Sequence, residues 1–127
     1  MQVEVVTPKG IAVSTEADEV VAPGQNGEFG VLPGHSPFIS AMRPGVLRVV
    51  KGGQEQRLAV GMGLVEVTGT DKVVVMTELT AKVEEIDVAA ARKELDEADQ
   101  MAKAGDNGAE PKRAWAQARI DAAARKS

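Results

Sequence analysis

Along the first two thirds of this chain, apolar residues recur in short runs, often at alternate positions, and each run is cut off by glycine, proline or a polar turn. Val3 and Val5 oppose Gln2 and Glu4 ahead of Thr7-Pro8-Lys9-Gly10. Residues 11–14 and 19–22 read as further strands, the second closed by Pro23-Gly24-Gln25-Asn26-Gly27. Residues 46–50 and 56–60 flank Lys51-Gly52-Gly53-Gln54, a hairpin with a glycine turn. Residues 64–68 and 73–79 flank Gly69-Thr70-Asp71-Lys72 and read as a second hairpin. Val73-Val74-Val75-Met76 is continuously apolar, which predicts a strand covered on both faces.

Beyond residue 86 the period changes. Val88, Ala91, Leu95, Ala98 and Ala102 follow at spacings of three and four, one stripe of a helix. Asp87 suits its N-cap, because a carboxylate there accepts from free N–H groups of the first turn. A helix over 87–104 would be about 27 Å long. Gly105-Asp106-Asn107-Gly108 stops it. Pro111 fits the first turn of a second helix reaching about Lys126, with Trp115, Ala118 and Ala122 as its stripe. So short a connection predicts antiparallel neighbours.

Composition sharpens the division. Residues 1–86 hold seventeen Val, eleven of thirteen Gly and five of six Pro, whereas 87–127 hold one Val and thirteen Ala. Val suits a pleated surface and Ala is the best helix former. The expected fold is therefore α+β: an all-β sandwich or flattened barrel of about eight to ten short strands over 1–86, then an antiparallel helical hairpin over 87–127. The helical stripes are mostly Ala, so they bury little apolar surface. Such a hairpin is expected to stay helical yet leave the sandwich easily.

Charge and rare residues narrow the chemistry. Fifteen basic against nineteen acidic residues give −4, which argues against a general nucleic-acid binder. No Cys and a single His exclude disulfides, thiolate sites and clusters of several histidines, and no nucleophile, base and orienter stand together. No cofactor or metal is expected. No apolar run approaches the ~20 residues of a membrane helix, and the start of the chain goes straight into strand-like sequence without a signal or transit pattern. The basic residues gather late: Lys112, Arg113, Arg119, Arg125 and Lys126 face only three acids after residue 104. They read either as a solvated helix face or as a surface for an acidic partner.

The densest turn chemistry is Gly27-Glu28-Phe29-Gly30-Val31-Leu32-Pro33-Gly34-His35-Ser36-Pro37-Phe38. It lacks the Lys-Ser or Lys-Thr ending of a phosphate loop. Pro33-Gly34 suits the corner of a type II turn and Pro37 keeps Ser36 extended. The segment therefore reads as a rigid, exposed contact loop. Together with Arg43-Pro44-Gly45-Val46-Leu47-Arg48-Val49, the opening Val3-Glu4-Val5-Val6-Thr7-Pro8, Gly61-Met62-Gly63-Leu64-Val65-Glu66-Val67 and the terminal helices, it closely resembles the epsilon subunit of bacterial F-type ATP synthases.

That resemblance implies a non-catalytic subunit of the central stalk, peripheral to the cytoplasmic face of a bacterial cell membrane. The family's sandwich sits against the gamma subunit and the ring of c subunits and couples proton-driven rotation to the catalytic head. By position, Glu28 falls in the ring-facing loop and His35 on the gamma-facing surface. Read from the residues alone, Glu28 is equally an ordinary turn carboxylate, and His35 one that bonds within its own turn. The family's helices move between a compact pose and an extended, hydrolysis-inhibiting pose. In the extended pose the basic residues of the second helix face an acidic segment of the beta subunit, with the alpha subunit as a further partner the resemblance implies. Lys112, Arg113, Arg119, Arg125 and Lys126 are the corresponding residues here. An alternative is an ATP-sensing module, since many relatives bind ATP through Ile or Leu, Asp, two free positions, Arg, Ala. Here Ile86 and Asp87 are present, but Ala90 stands at the Arg position and Arg92 lies about 200° round the helix. Losing that guanidinium removes a charge-assisted phosphate contact, which argues against tight ATP binding.

Overall fold

The computed structural model describes residues 1–124; Arg125 and Lys126 lie outside them. Ten strands come first: β1 Gln2–Thr7, β2 Gly10–Glu16, β3 Glu19–Gly24, β4 Gly27–Val31, β5 Phe38–Met42, β6 Gly45–Lys51, β7 Gln54–Val60, β8 Gly63–Val67, β9 Lys72–Thr77 and β10 Thr80–Lys82. A 3₁₀ turn, Val83–Glu85, leads to helices α1 Val88–Lys103 and α2 Ala109–Ala123. The α+β reading holds, with sheet preceding hairpin.

The strands form one sheet ordered β10-β7-β6-β3-β5-β8-β9-β1-β2, with β4 added to β3. All pairings are antiparallel except β1 with β9. Between β3 and β5 only Gly24 and Met42 pair. The sheet closes over a core of Val3, Val5, Val20, Val31, Met42, Leu47, Leu58, Val65, Val73 and Val75. Inward residues alternate along β1, β3, β6, β7, β8 and β9, as a pleat requires.

The two hairpins read from sequence are β6–β7 and β8–β9. Three strands were not anticipated. β4 lies within the segment read as an exposed loop: Gly27–Val31 pairs with β3, and the true loop is only residues 32–37. β5 hides behind Pro37, and β10 is three residues long. The run from Val73 also departs from expectation. Val73 and Val75 are buried, but Val74 is half-buried and Met76 is 37% exposed, so β9 is not covered on both faces.

The helices begin and end as their local chemistry dictates. Asp87 Oδ1 accepts from the Ala90 N–H at 3.0 Å, a cap worth about 1 kcal/mol. At the other end Gly105 takes φ +79°, the Asp106 N–H reaches Met101 O at 2.9 Å and the Gly105 N–H reaches Ala102 O at 3.1 Å. Those are the two bonds of a Schellman stop. α2 returns antiparallel along α1 and lies on β6 and β7. Its Ala118 and Ala122 cover Ala59, with Val46, Ala81, Val83, Ile86 and Trp115 around them. Ala91 and Ala98 of α1 and Ala109 and Ala116 of α2 are also buried, while Ala102, the last member of the expected α1 stripe, is exposed.

Candidate functional site

The two outer faces of the folded sheet differ in what covers them. Val46, Ala59 and Ala81 stand opposite one another across β6, β7 and β10, and α2 seals that row. Across the other layer a second row runs Ala41, Leu64, Met76, Val6 and Ile11, one residue from each of β5, β8, β9, β1 and β2. Leu64 is 45% and Ile11 60% exposed, and no described element lies over them. Ile39, Met62 and Leu79 extend the apolar surface. Val6, Pro8, Met62, Leu64 and Met76 frame a shallow hollow of about 330 Å³.

Two backbone features build this row. The β1–β2 register slips between Val5 and Val6, so Val5 pairs with Val13 but Val6 with Ile11. That bulge at Ala12 turns Ile11 outward, where strict alternation would bury it beside Val13. At Gly63, an added Cβ would collide with the Met76 carbonyl, so β8 and β9 close up only because that residue is glycine. Several large apolar side chains left bare together mark an interaction surface, since an isolated one needs no explanation.

The sequence-derived residues fall in three places. His35 is exposed at the end of the same layer. The His35 N–H bonds Leu32 O at 3.1 Å and Gly34 takes φ +81°, the expected type II geometry. Asp71, from the β8–β9 turn, accepts from the Gly34 N–H at 3.0 Å and pins the loop there. The His35 ring lies 2.8 Å from Ser36 O through Nδ1 and tilts against Phe38. Glu28 is a strand residue of β4. It pairs with Arg48 at 3.2 Å and borders a groove of about 660 Å³ between β6 and α2. The structure therefore does not bring Glu28 and His35 together on one surface.

The cations of α2 turn toward α1. Lys112 lies 4.0 Å from Glu97, Arg113 lies 3.1 Å from Asp99, and Arg119 pairs with Glu94. Arg119 also lies over the Trp115 ring at 5.3 Å, and burial lowers its guanidinium below the ordinary arginine range. Ile86 packs beneath α2 and Asp87 serves as the cap described above, so both are accounted for without a nucleotide. Sequence reading missed the bare apolar row, Arg48 and Arg57. Its one clue was that outward positions of β8 and β9 hold Leu64 and Met76 where a solvated strand would carry polar residues.

A flattened barrel followed by a helical hairpin is a fold of the ATP synthase delta/epsilon β-sandwich class: the family described as "ATP synthase, Delta/Epsilon chain, beta-sandwich domain" matches residues 1–83. The chain is 44% identical over 103 residues to the ATP synthase epsilon chain of Myxococcus xanthus (strain DK1622), covering 81% of this chain and 75% of that one. It is 43% identical over 103 residues to the epsilon chain of Geotalea uraniireducens (strain Rf4), covering 81% and 74%. The chain belongs to the ATP synthase epsilon chain family. Its fold is also that of a chain in the Euglena gracilis mitochondrial ATP synthase OSCP/F1/c-ring structure, with TM-score 0.75 and 24% identity over 94% of this chain and 74% of that one. A Tetrahymena thermophila mitochondrial ATP synthase central stalk/c-ring chain gives 0.60 and 13%, covering 94% and 96%.

Proposed function

We propose that this chain is a non-catalytic rotor subunit that seats its bare sheet face on the gamma subunit, meets the c ring, and so couples ring rotation to the catalytic head. The carrying observation is the uncovered row Leu64, Met76, Val6 and Ile11, with the pinned His35 loop at the far end of the same layer. Fully burying an exposed Leu- or Met-sized side chain contributes about 1.5–3 kcal/mol; Leu64 and Met76 are already more than half buried and contribute a fraction of that, with several such side chains adding up to an anchor. Glu28 contributes register at the ring more than affinity, since exposed ion pairs are worth little. No described helix is long and apolar enough to cross a membrane, which fits attachment through the complex to the cytoplasmic face of a bacterial membrane.

The division at residue 86 assigns rotor contact to 1–86 and regulation to 87–127. The hairpin is a mobile inhibitor of ATP hydrolysis whose cations, Lys112, Arg113 and Arg119 among them, engage acidic groups of the beta subunit when it extends. In the docked pose those cations already sit on α1 carboxylates. Moving to an acidic partner therefore exchanges one set of carboxylates for another, at small electrostatic cost.

The test of the docking face is co-purification with gamma. Leu64→Asp with Met76→Asp abolishes capture while leaving the isolated chain folded by circular dichroism; Ile120→Asp on α2 leaves capture intact. Crosslinks to gamma from His35→Cys and to the c ring from Glu28→Cys place the two ends. Undiminished capture by the double Asp variant overturns the assignment.

A further inference from the structure

We infer that Arg57 is the clamp that holds α2 on the sheet, and that its grip is set by a chain of charges ending at Glu28 on the surface. Arg57, on β7, donates through Nε to Ala122 O at 3.1 Å and through Nη2 to Asp121 O at 2.8 Å. These are carbonyls of the last turn of α2, which carry the negative end of the helix dipole; Asp121 O also accepts from the Ala124 N–H at 3.3 Å, and Arg57 adds a charged donor to it. A guanidinium fits them with two prongs of its fork at once, which a lysine cannot. The side chain is only 16% exposed, so this is a part-buried, charge-assisted cap between sheet and helix.

The third prong of Arg57 is held by Glu55, Nη1 to Oε1 at 3.2 Å. The other oxygen of Glu55 faces Arg48 Nη1 at 3.6 Å, and Arg48 Nη2 in turn meets Glu28 at 3.2 Å. The series Glu28, Arg48, Glu55, Arg57, α2 thus runs unbroken across β4, β6 and β7, and Glu28, Arg48 and Arg57 line the same groove beside α2. Two arginines share the single carboxylate of Glu55. While Glu28 satisfies Arg48, Glu55 is left to orient Arg57. When Glu28 is taken by a cationic group, or loses its charge, Arg48 turns to Glu55 and competes with Arg57 for it. Arg48 Nε is buried without a partner among the described residues, so this guanidinium is already short of acceptors when Glu28 is lost. The consequence is a weaker hold on α2. The hairpin is suited to such control because its apolar anchorage on the sheet is little more than Ala118, Ala122 and part of Trp115.

In the assembled complex this makes ring engagement at Glu28 a release signal for the hairpin, a consequence that rests on the placement of Glu28 proposed above. The clamp and its relay are testable in the isolated full chain without that placement. The chain has no cysteine, so an Ala59→Cys thiol, buried under α2, reacts with a thiol reagent at a rate proportional to the undocked population. Arg57→Ala is expected to raise that rate about tenfold, the factor equivalent to ~1.4 kcal/mol, and Glu28→Gln about twofold, as befits an exposed pair. In the Arg57→Ala background, Glu28→Gln changes nothing further. A Val65→Cys thiol inside the sandwich core reports global opening; if Arg57→Ala accelerates it too, Arg57→Lys, which keeps the charge and loses the fork, is read in its place. An unchanged Ala59→Cys rate in the readable Arg57 variant removes the clamp. An equal Glu28→Gln effect with and without Arg57 removes the relay. Normal relay behaviour with no crosslink from Glu28→Cys to the ring removes only the assembled-state consequence.

Discussion

Gly63 shows how one residue sets the geometry of a surface. Its missing side chain lets the β9 backbone close onto β8, which brings Leu64 beside Met76 and makes the bare row continuous. Gly63→Ala forces a methyl onto the Met76 carbonyl, a backbone atom that cannot swing away. Chemical denaturation should show a loss of about 2–3 kcal/mol, at the upper end of overpacking costs, together with weaker capture by gamma. Gly34 has a different reason for being glycine: its φ of +81° belongs to the type II turn, and no atom crowds its missing Cβ. The charged residues are also unequal. Arg113 pairs with Asp99 in the open, whereas Arg119 is mostly buried between Glu94 and the Trp115 ring. Removing Arg119 therefore costs packing as well as charge.

Among the elements, α1 and α2 stand in different relations to the sheet. α2 touches the sheet and α1 packs chiefly on α2, so the hairpin is attached through one helix. α1 and α2 pack together, and Ala91 and Ala98 of the first and Ala109 and Ala116 of the second are buried, small side chains that suit a close approach of the backbones. Ala98→Leu pushes them apart, at a cost of about 1–3 kcal/mol. Calorimetry should show an earlier helical transition while the sandwich melts where it did before; a uniform shift of both transitions would show instead that hairpin and sandwich unfold as one body. β2 and β10, the two ends of the sheet order, are kept short or irregular, one by its bulge and the other by its three-residue length, which discourages pairing with other chains.

For the whole molecule, the arrangement is asymmetric by construction. One outer face of the sandwich is covered by α2, and the other leaves Ile11, Leu64 and Met76 exposed. The hairpin adds little to the sandwich, whose core is complete without it. Truncation after Ala104 is therefore expected to leave assembly with gamma intact while raising ATP hydrolysis in membranes carrying the shortened chain. Unchanged hydrolysis would remove the inhibitory role and leave the docking role standing.

What the sequence determined by itself was everything governed by local chemistry: the change of period after residue 86, both glycine-turned hairpins, the Asp87 cap, the Gly105 stop, the Pro33-Gly34 turn and the family resemblance carried by that loop. These follow from backbone preferences over a few residues, so neighbours in the chain suffice to read them. β4, β5 and β10 were missed because each depends on a partner strand far along the chain, and Gly27–Val31 carries enough glycine to look like loop until β3 is seen beside it. The run Val73 to Met76 misled for a related reason: an apolar outward face looks the same in sequence whether or not an element of the same chain covers it. Only the tertiary structure decided which face α2 occupies, that Glu28 and His35 lie apart, and that Arg57, unremarkable among seven basic residues of 1–86, ends up capping a helix 64 residues away. Such pairings arise when distant segments pack, and no local pattern encodes them.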